Sequence, residues 1–354
     1  MRIVVTGASG SVGTALLRRL SQRNAEGAGH EVVGIARRLP TGDRAPYDVA
    51  EWVSLDVADP AQEERLRSTV RGADAVVHAA WLIQPARQPA ELARVNLAGS
   101  RAVVRAAREE GVGQLVHLSS IGAYAPRPPQ DHRVDESWPT TGVPTSQYSR
   151  EKVAVEAHLD VLEAQAPGLT VARVRPALVF QRDSASEIAR YFAGALVPAR
   201  VLGRLPLPVL PLPRGVRIQL VHADDLADGL VRIVEQRAGG AFNLADEPVL
   251  GGRDIAGALN AGRLLAVPHA LGRAAVAATY RAHVHPVQPG WYDLALSVPL
   301  MDTGRARSEL GWQPRHAAAD VLAELLAGMR AHAGTTSPAL RSRSVAAPGS
   351  RVGT

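Results

Sequence analysis

Thr6-Gly7-Ala8-Ser9-Gly10-Ser11-Val12-Gly13 follows the apolar run Ile3-Val4-Val5 and leads into the amphipathic stretch that begins Thr14-Ala15-Leu16-Leu17. Glycines at 7, 10 and 13 suit a tight turn, close approach of backbone to a pyrophosphate, and close packing of the helix that follows. The helix start adds amide donors and a dipole that favours an anion. A glycine triplet alone is weak evidence, but between a first strand and a first helix it predicts a dinucleotide-binding turn.

Short β-branched runs extend the pattern outward: strands are expected at 3–6, 32–36, 53–55, 75–78, 115–118 and 171–174, with helices at 13–20, 60–70, 91–110 and 147–164. Apolar runs alternating with helices call for a parallel sheet covered on both faces. Asp59-Pro60 is a good helix start, with Asp as N-cap and Pro in the first turn. Beyond Val179 the chain loosens through Leu205-Pro206-Leu207-Pro208-Val209-Leu210-Pro211-Leu212-Pro213, and a strand and helix return over 219–234, then a strand over 241–244. The expected fold is α/β, a doubly wound Rossmann sheet over 1–178 completed by about 215–245, with a smaller, discontinuous substrate domain from 179–214 and 246–333. Residues 334–354 hold no acidic residue, are rich in Ser, Ala, Pro and Gly, and read as a disordered tail.

A chain of 354 residues, 46% of them hydrophobic, can bury a substantial core. It has no cysteine, which rules out disulfides, thiolate metal sites and a cysteine nucleophile and is at ease in a reducing cytoplasm. Met1 runs almost directly into the glycine loop, so a cleaved export signal is not expected. The apolar stretch 192–213 is broken by Arg200, Arg204 and five prolines, and no membrane span is expected. The net charge of +6 is carried by scattered arginines, three of them (Arg341, Arg343, Arg351) in the tail, so nucleic acid is not expected as a partner. No spacing of His and carboxylate suggests a metal.

Lys152 is the only lysine among 40 basic side chains, and it stands four residues after Tyr148 in Tyr148-Ser149-Arg150-Glu151-Lys152. On a helix that spacing puts phenol and ammonium on one face. A compact, rotatable ammonium with three donors is something a planar guanidinium does not reproduce.

With these motifs in order, the chain resembles the extended short-chain dehydrogenase/reductase family, the NAD(P)-dependent epimerase/dehydratase group. The matches are the glycine triplet, Asp56-Val57, His78-Ala79-Ala80, Asn96, Ser119-Ser120 ahead of Tyr124, Tyr148 with Lys152, Arg175-Pro176, Val221-His222-Ala223-Asp224-Asp225, Phe242-Asn243-Leu244-Ala245 and Leu310-Gly311-Trp312. They cover about residues 1 to 330. The resemblance implies Tyr148 as acid/base, Lys152 lowering its pKa and holding the nicotinamide ribose, Ser120 orienting the substrate oxygen, and Asn96 supporting the lysine through water. It places the cofactor against Gly7, Ser9, Gly10, Ser11, Val12, Gly13, Arg37, Asp56, Val57, His78, Ala79 and Ala80, and it allows a homodimer. Moving a phenol from about 10 to about 7 takes roughly 4 kcal/mol, which one cation about 4 Å away can supply at an effective dielectric near 20. Ser119 ranks below Ser120. His78 and His222 read as structural, and Asp224 and Asp225 as helix caps.

At the end of the second strand Ala36 stands where a ribose-binding acid would be, followed by Arg37-Arg38, which favours NADP with NAD as the alternative. The dehydratases of the group carry Asp-Glu where this chain has Ile121-Gly122, and its sugar epimerases often carry Asn where it has Ala177, so the expected reaction is hydride transfer to or from a secondary alcohol or ketone. A nucleotide-sugar 4-epimerase is the alternative, and a non-catalytic dinucleotide sensor ranks third. Trp81, Gln84, Tyr124, Gln181 and the stretch 192–213 are expected to line the pocket for a small-molecule substrate.

Overall fold

The computed structural model describes residues 1–41, 44–83, 87–128, 132–166, 168–193, 203–284 and 286–342. Its centre is a sheet of seven parallel strands: β1 (Arg2–Thr6), β2 (Glu31–Ala36), β3 (Ala50–Ser54), β4 (Ala75–His78), β5 (Gln114–Leu118), β6 (Thr170–Pro176) and β7 (Gly240–Leu244). Their spatial order is β7-β6-β5-β4-β1-β2-β3, the doubly wound arrangement in which the order reverses beside β1 and opens a crevice at the carboxyl ends. Alternation along β1 serves both faces. Ile3 and Val5 pack with Leu16, Leu20, Leu230 and Phe242 on one side, while Val4 packs with Val76, Val104 and Leu159 on the other.

The elements differ from expectation in instructive ways. The helix expected over 91–110 is three segments: Pro89–Ala93, a π-helical stretch Arg94–Gly99, and Ser100–Glu109. Asp59 does cap, accepting from the Ala61 amide, though Pro60–Gln62 winds as a 3-10 turn before the Glu63–Val70 helix. Leu220–His222 leaves the main sheet and pairs with Leu178–Phe180, while the Ala223–Glu235 helix packs on the Ser11–Ala25 helix. In the proline-rich stretch Leu210–Pro213 is a strand, paired with Leu264–Val267. The later part of the chain is mainly helical, with helices at His269–Arg281, Pro289–Ser297 and Ala318–Arg330. Among the described residues no helix is long and apolar enough to cross a membrane.

The tail departs most from expectation. Ser337 and Leu340 are fully buried and the Ser337 hydroxyl donates to the Ser9 carbonyl at 2.6 Å, so residues 334–342 are packed chain and not a free tail. The small, uncharged side chains of residues 334–339, which read as disorder, are what lets this part lie against the glycine loop. Residues 343–354 lie outside the described residues.

Asp246, just past β7, is fully buried, accepts the His222 amide at 2.7 Å, and is pushed up from 3.8 to about 7 by burial. Because its folded pKa lies above its unfolded one, its contribution to stability is greatest below about pH 4 and is lost as pH rises toward 7. The Asp246→Asn variant should therefore gain stability relative to the parent between pH 4 and pH 7, by an upper bound on the order of 4 kcal/mol, and show no further change above 7. Urea unfolding of both proteins across that range checks it; a constant difference would exclude Asp246 as the source.

Candidate active site

Ser146 caps the Gln147–Gln165 helix, its hydroxyl accepting from the Ser149 amide at 3.4 Å. Tyr148, Lys152 and Glu156 then fall at successive i,i+4 positions on one stripe, facing the carboxyl ends of β5 and β6. Glu156 is held by Arg175 of β6 through bonds of 3.0 and 2.6 Å and also accepts from the Ser119 hydroxyl. Ser119 is thereby committed to Glu156. Ser120 is the serine whose side chain acts on the Tyr148 phenol, favouring its ionised form, and its oxygen accepts the Gly122 amide at 3.0 Å.

Gly122 has a steric reason. A Cβ there would sit 3.1 Å from the Tyr148 ring and 3.4 Å from the Ser120 oxygen, so an acidic side chain at this position would press on the phenol.

The Lys152 ammonium is 2% exposed, donates to the Leu118 carbonyl at 2.7 Å and lies 3.4 Å above the Trp81 ring. Burial drives its pKa well below the usual lysine value, with Glu156 and Glu151 opposing. It stands 5.7 Å from the centre of the Tyr148 ring. The lowered phenol pKa that the family resemblance implies is not what the protein's own groups produce: burial pushes Tyr148 up to about 12, and Ser120 offsets only part of that. Lysine charge spent on a carbonyl and an indole face does little for the phenolate.

Asn96 lies in the π-helical stretch. Its amide accepts from the Leu82 N–H at 2.8 Å and donates to the Leu82 carbonyl at 2.9 Å and to Glu151 at 2.7 Å, clamping the turn after β4 to the Tyr148 helix. His78 bridges Thr6 and Ser100 at 2.7 and 2.8 Å, and burial takes its pKa down to about 3, a structural histidine. His222 occupies the N-cap of its helix and accepts from the Asp224 amide. Asp224 pairs with Arg18 and Asp225 with His316, so these acids tie elements together and the capping falls to the histidine.

Two cavities meet at Trp81. The first, about 310 Å³, runs along the carboxyl ends of β1 to β4, past Gly7, Ser9, Gly10, the exposed Arg37 and Arg38, Asp56-Val57 and Ala79-Ala80. Gly7 adopts φ +71° and an added Cβ would lie 2.7 Å from Ala80; at Gly13 one would lie 2.3 Å from the Gly7 carbonyl. The second, about 300 Å³, continues from Ser11, Val12 and Gly13 over Ser120, Tyr148 and Lys152 to an apolar wall of Val179, Phe180, Ile218, Leu294 and Val298. Trp291 closes it, 4.8 Å from the Tyr148 ring centre.

Of the side chains expected to line the pocket, Trp81 does so. Tyr124 is fully buried beneath it, donating to Asn243 at 2.7 Å and accepting from Arg175 at 3.0 Å. Gln181 supports the glycine loop, donating to the Ser11 carbonyl at 2.8 Å. Gln84 and residues 194–202 lie outside the described residues. The Trp291 wall went unread, although Pro289-Gly290-Trp291 carries a signal, a proline in the first turn of a helix.

Comparison with known proteins decides the family. Residues 3–245 match the model of the NAD dependent epimerase/dehydratase family. The chain belongs to this family. Among curated relatives, an uncharacterised protein of Mycobacterium tuberculosis is 30% identical over 94% of this chain, which spans only 31% of that longer protein. A UDP-glucose 4-epimerase of Mycolicibacterium smegmatis is 30% identical over 92% of this chain and 97% of its own length. The epimerase/dehydratase fold recurs in the UDP-glucose 4-epimerase of Thermus thermophilus solved with NAD, with TM-score 0.67, 22% identity, and coverage of 93% of this chain and 99% of that one.

Replacing Glu156 by Gln should leave the Arg175 guanidinium buried without a counter-charge. A loss of about 3 kcal/mol or more in urea unfolding is expected, and a loss under about 1 kcal/mol would show that the pair does not anchor the helix.

Proposed function

We propose that the protein transfers a hydride between a nicotinamide dinucleotide and a secondary alcohol or ketone, with Tyr148 as the proton donor and acceptor. The carrying observation is the convergence of Ser120, Tyr148 and Lys152 on a cavity continuous with the glycine loop. The loop fits a pyrophosphate. Its close backbone contacts at Gly7 and Gly13 hold the turn flat, and Gly10 at the N-cap brings no side-chain bond to the first-turn amides of a 15-residue helix. A bound nicotinamide would supply or accept the hydride. Tyr148 would give its proton to the carbonyl oxygen as the ketone is reduced, or take it back when the alcohol is oxidised. Ser120, its oxygen already accepting from Gly122, keeps its own proton to donate to the same substrate oxygen. Lys152, on the same helix face as the phenol, would hold the ribose hydroxyls of the bound dinucleotide.

Two features favour NADP at the adenosine end. Ala36 contributes no carboxylate, and Arg37 and Arg38 are exposed on the same cavity. Asp56, an acid on this cavity, is engaged by Arg94 at 3.1 Å. The apolar wall favours net oxidoreduction of a small, mostly uncharged substrate. A nucleotide-sugar 4-epimerase is the second reading, favoured by the full-length similarity to the mycobacterial UDP-glucose 4-epimerase.

Tyr148→Phe should cut turnover at least about a hundredfold and leave dinucleotide affinity nearly unchanged, with Lys152→Arg also impaired. NADPH consumption with ketones and NMR detection of epimers from uridine-diphosphate sugars are the two assays. Interconversion of sugars with no added cofactor would make the epimerase reading the correct one, and a Phe variant retaining a tenth of the rate would remove Tyr148 from its role.

Fluorescence titration should show tighter binding of NADPH than of NADH, with the difference eroded in Arg37→Ala. Equal or tighter binding of NADH by the parent protein would overturn the NADP preference.

A further inference from the structure

We infer that Thr335–Leu340 is part of the dinucleotide site: a strap that closes its adenosine end and touches the cofactor through Pro338 and Ala339. The inference rests on the nucleotide reading above. Pro338 and Ala339 line the cavity that also presents Gly7, Gly10, Arg37 and Asp56, so the segment forms a wall of the groove.

The strap is folded on itself. The Ser337 amide donates to the Thr335 hydroxyl at 3.1 Å, the Leu340 amide to the Ser337 carbonyl at 3.1 Å, and the Thr335 amide to the Leu340 carbonyl at 3.2 Å. Leu340 is fully buried and anchors the turn. The segment is also tied to three other parts of the fold, two of which, Ser9 and Arg190, line the groove. The buried Ser337 hydroxyl donates to the Ser9 carbonyl of the glycine loop at 2.6 Å. The Thr335 hydroxyl bonds the Tyr47 hydroxyl at 2.8 Å, which in turn bonds Thr14 in the first helix at 3.2 Å. From the other side, Arg190 donates to the Ala339 and Arg341 carbonyls at 3.1 and 3.3 Å.

These bonds fix the Ser9 peptide and the start of the first helix, the backbone a pyrophosphate would engage. Holding that backbone in place beforehand lowers the ordering cost of binding. The groups turned to the groove, a proline ring and a methyl, suit the apolar face of a purine and add no negative charge beside phosphate. The ligand class is thus an adenine nucleoside diphosphate, and ADP-ribose is the minimal probe.

The test compares the full chain with one ending at residue 333, using ADP-ribose and NADPH. The shortened chain should bind both at least tenfold more weakly, chiefly through faster release. Because that chain loses buried Leu340, the full-length Ser337→Ala variant and hydrogen exchange of the intact protein supply independent readings. The variant should bind ADP-ribose at least threefold more weakly, and saturating ADP-ribose should slow amide exchange across 335–341 in the parent. Unchanged affinity in both altered proteins, tighter binding after truncation, or exchange at 335–341 indifferent to ADP-ribose would each overturn the strap while leaving the nucleotide reading intact. Failure of the full-length chain to bind any dinucleotide would overturn both together.

Discussion

The carboxylate of Glu156 is gripped from two strands at once, by Arg175 of β6 and by Ser119 at the end of β5. It lies one turn beyond Lys152 and two beyond Tyr148, so its position fixes the rotation of the whole helix stripe. An ion pair this deeply buried contributes little net stability, since desolvation consumes most of the attraction, but leaving either charge alone is expensive. It acts as a register pin. Arg175 extends the same network to the Tyr124 hydroxyl and the Glu136 carbonyl, and Tyr124 passes it to Asn243 on β7.

Much of this was legible in the chain. The glycine loop, the alternation of strands and helices and the Tyr148–Lys152 pair depend on spacings of a few residues, where local periodicity is the physics that counts. The division of labour between Ser119 and Ser120 was readable in rank only, because what separates them is a carboxylate 37 residues on. Trp291 was missed since its partner Tyr148 is far away in sequence and nothing local announces the contact. Composition misjudged residues 334–342 for a related reason. Small polar residues cannot build a core of their own, yet Ser337 needs only one buried carbonyl, which the glycine loop offers. The pKa of Tyr148 was misjudged because spacing says where an ammonium is and not what it is already bonded to.

The site combines two buried groups whose neutral forms the protein favours, a phenol raised to about 12 and an amine pushed well down. Two tryptophans press on the phenol, Trp291 tilted across its face and Trp81 by its edge. Such walls exclude water and make any added charge count for more than it would in solution. The same enclosure that opposes ionisation in the protein's own field would amplify the effect of a cationic ring brought beside it.

The π-helical stretch Arg94–Gly99 has a consequence of another kind. A π-turn holds one residue more than the α-helix around it, so the segment is in effect an insertion carried within a continuous rod. Removing one residue there would let the helix relax to regular pitch with the parts on either side still in phase, because the π-turn already absorbs its extra residue locally. What such a deletion would take away is the local bulge from which Asn96 reaches Glu151 and the turn at Leu82. The extra residue thus belongs to the Asn96 clamp and not to the helix as a rod: what the irregular turn preserves is one side chain's reach across to a neighbouring helix.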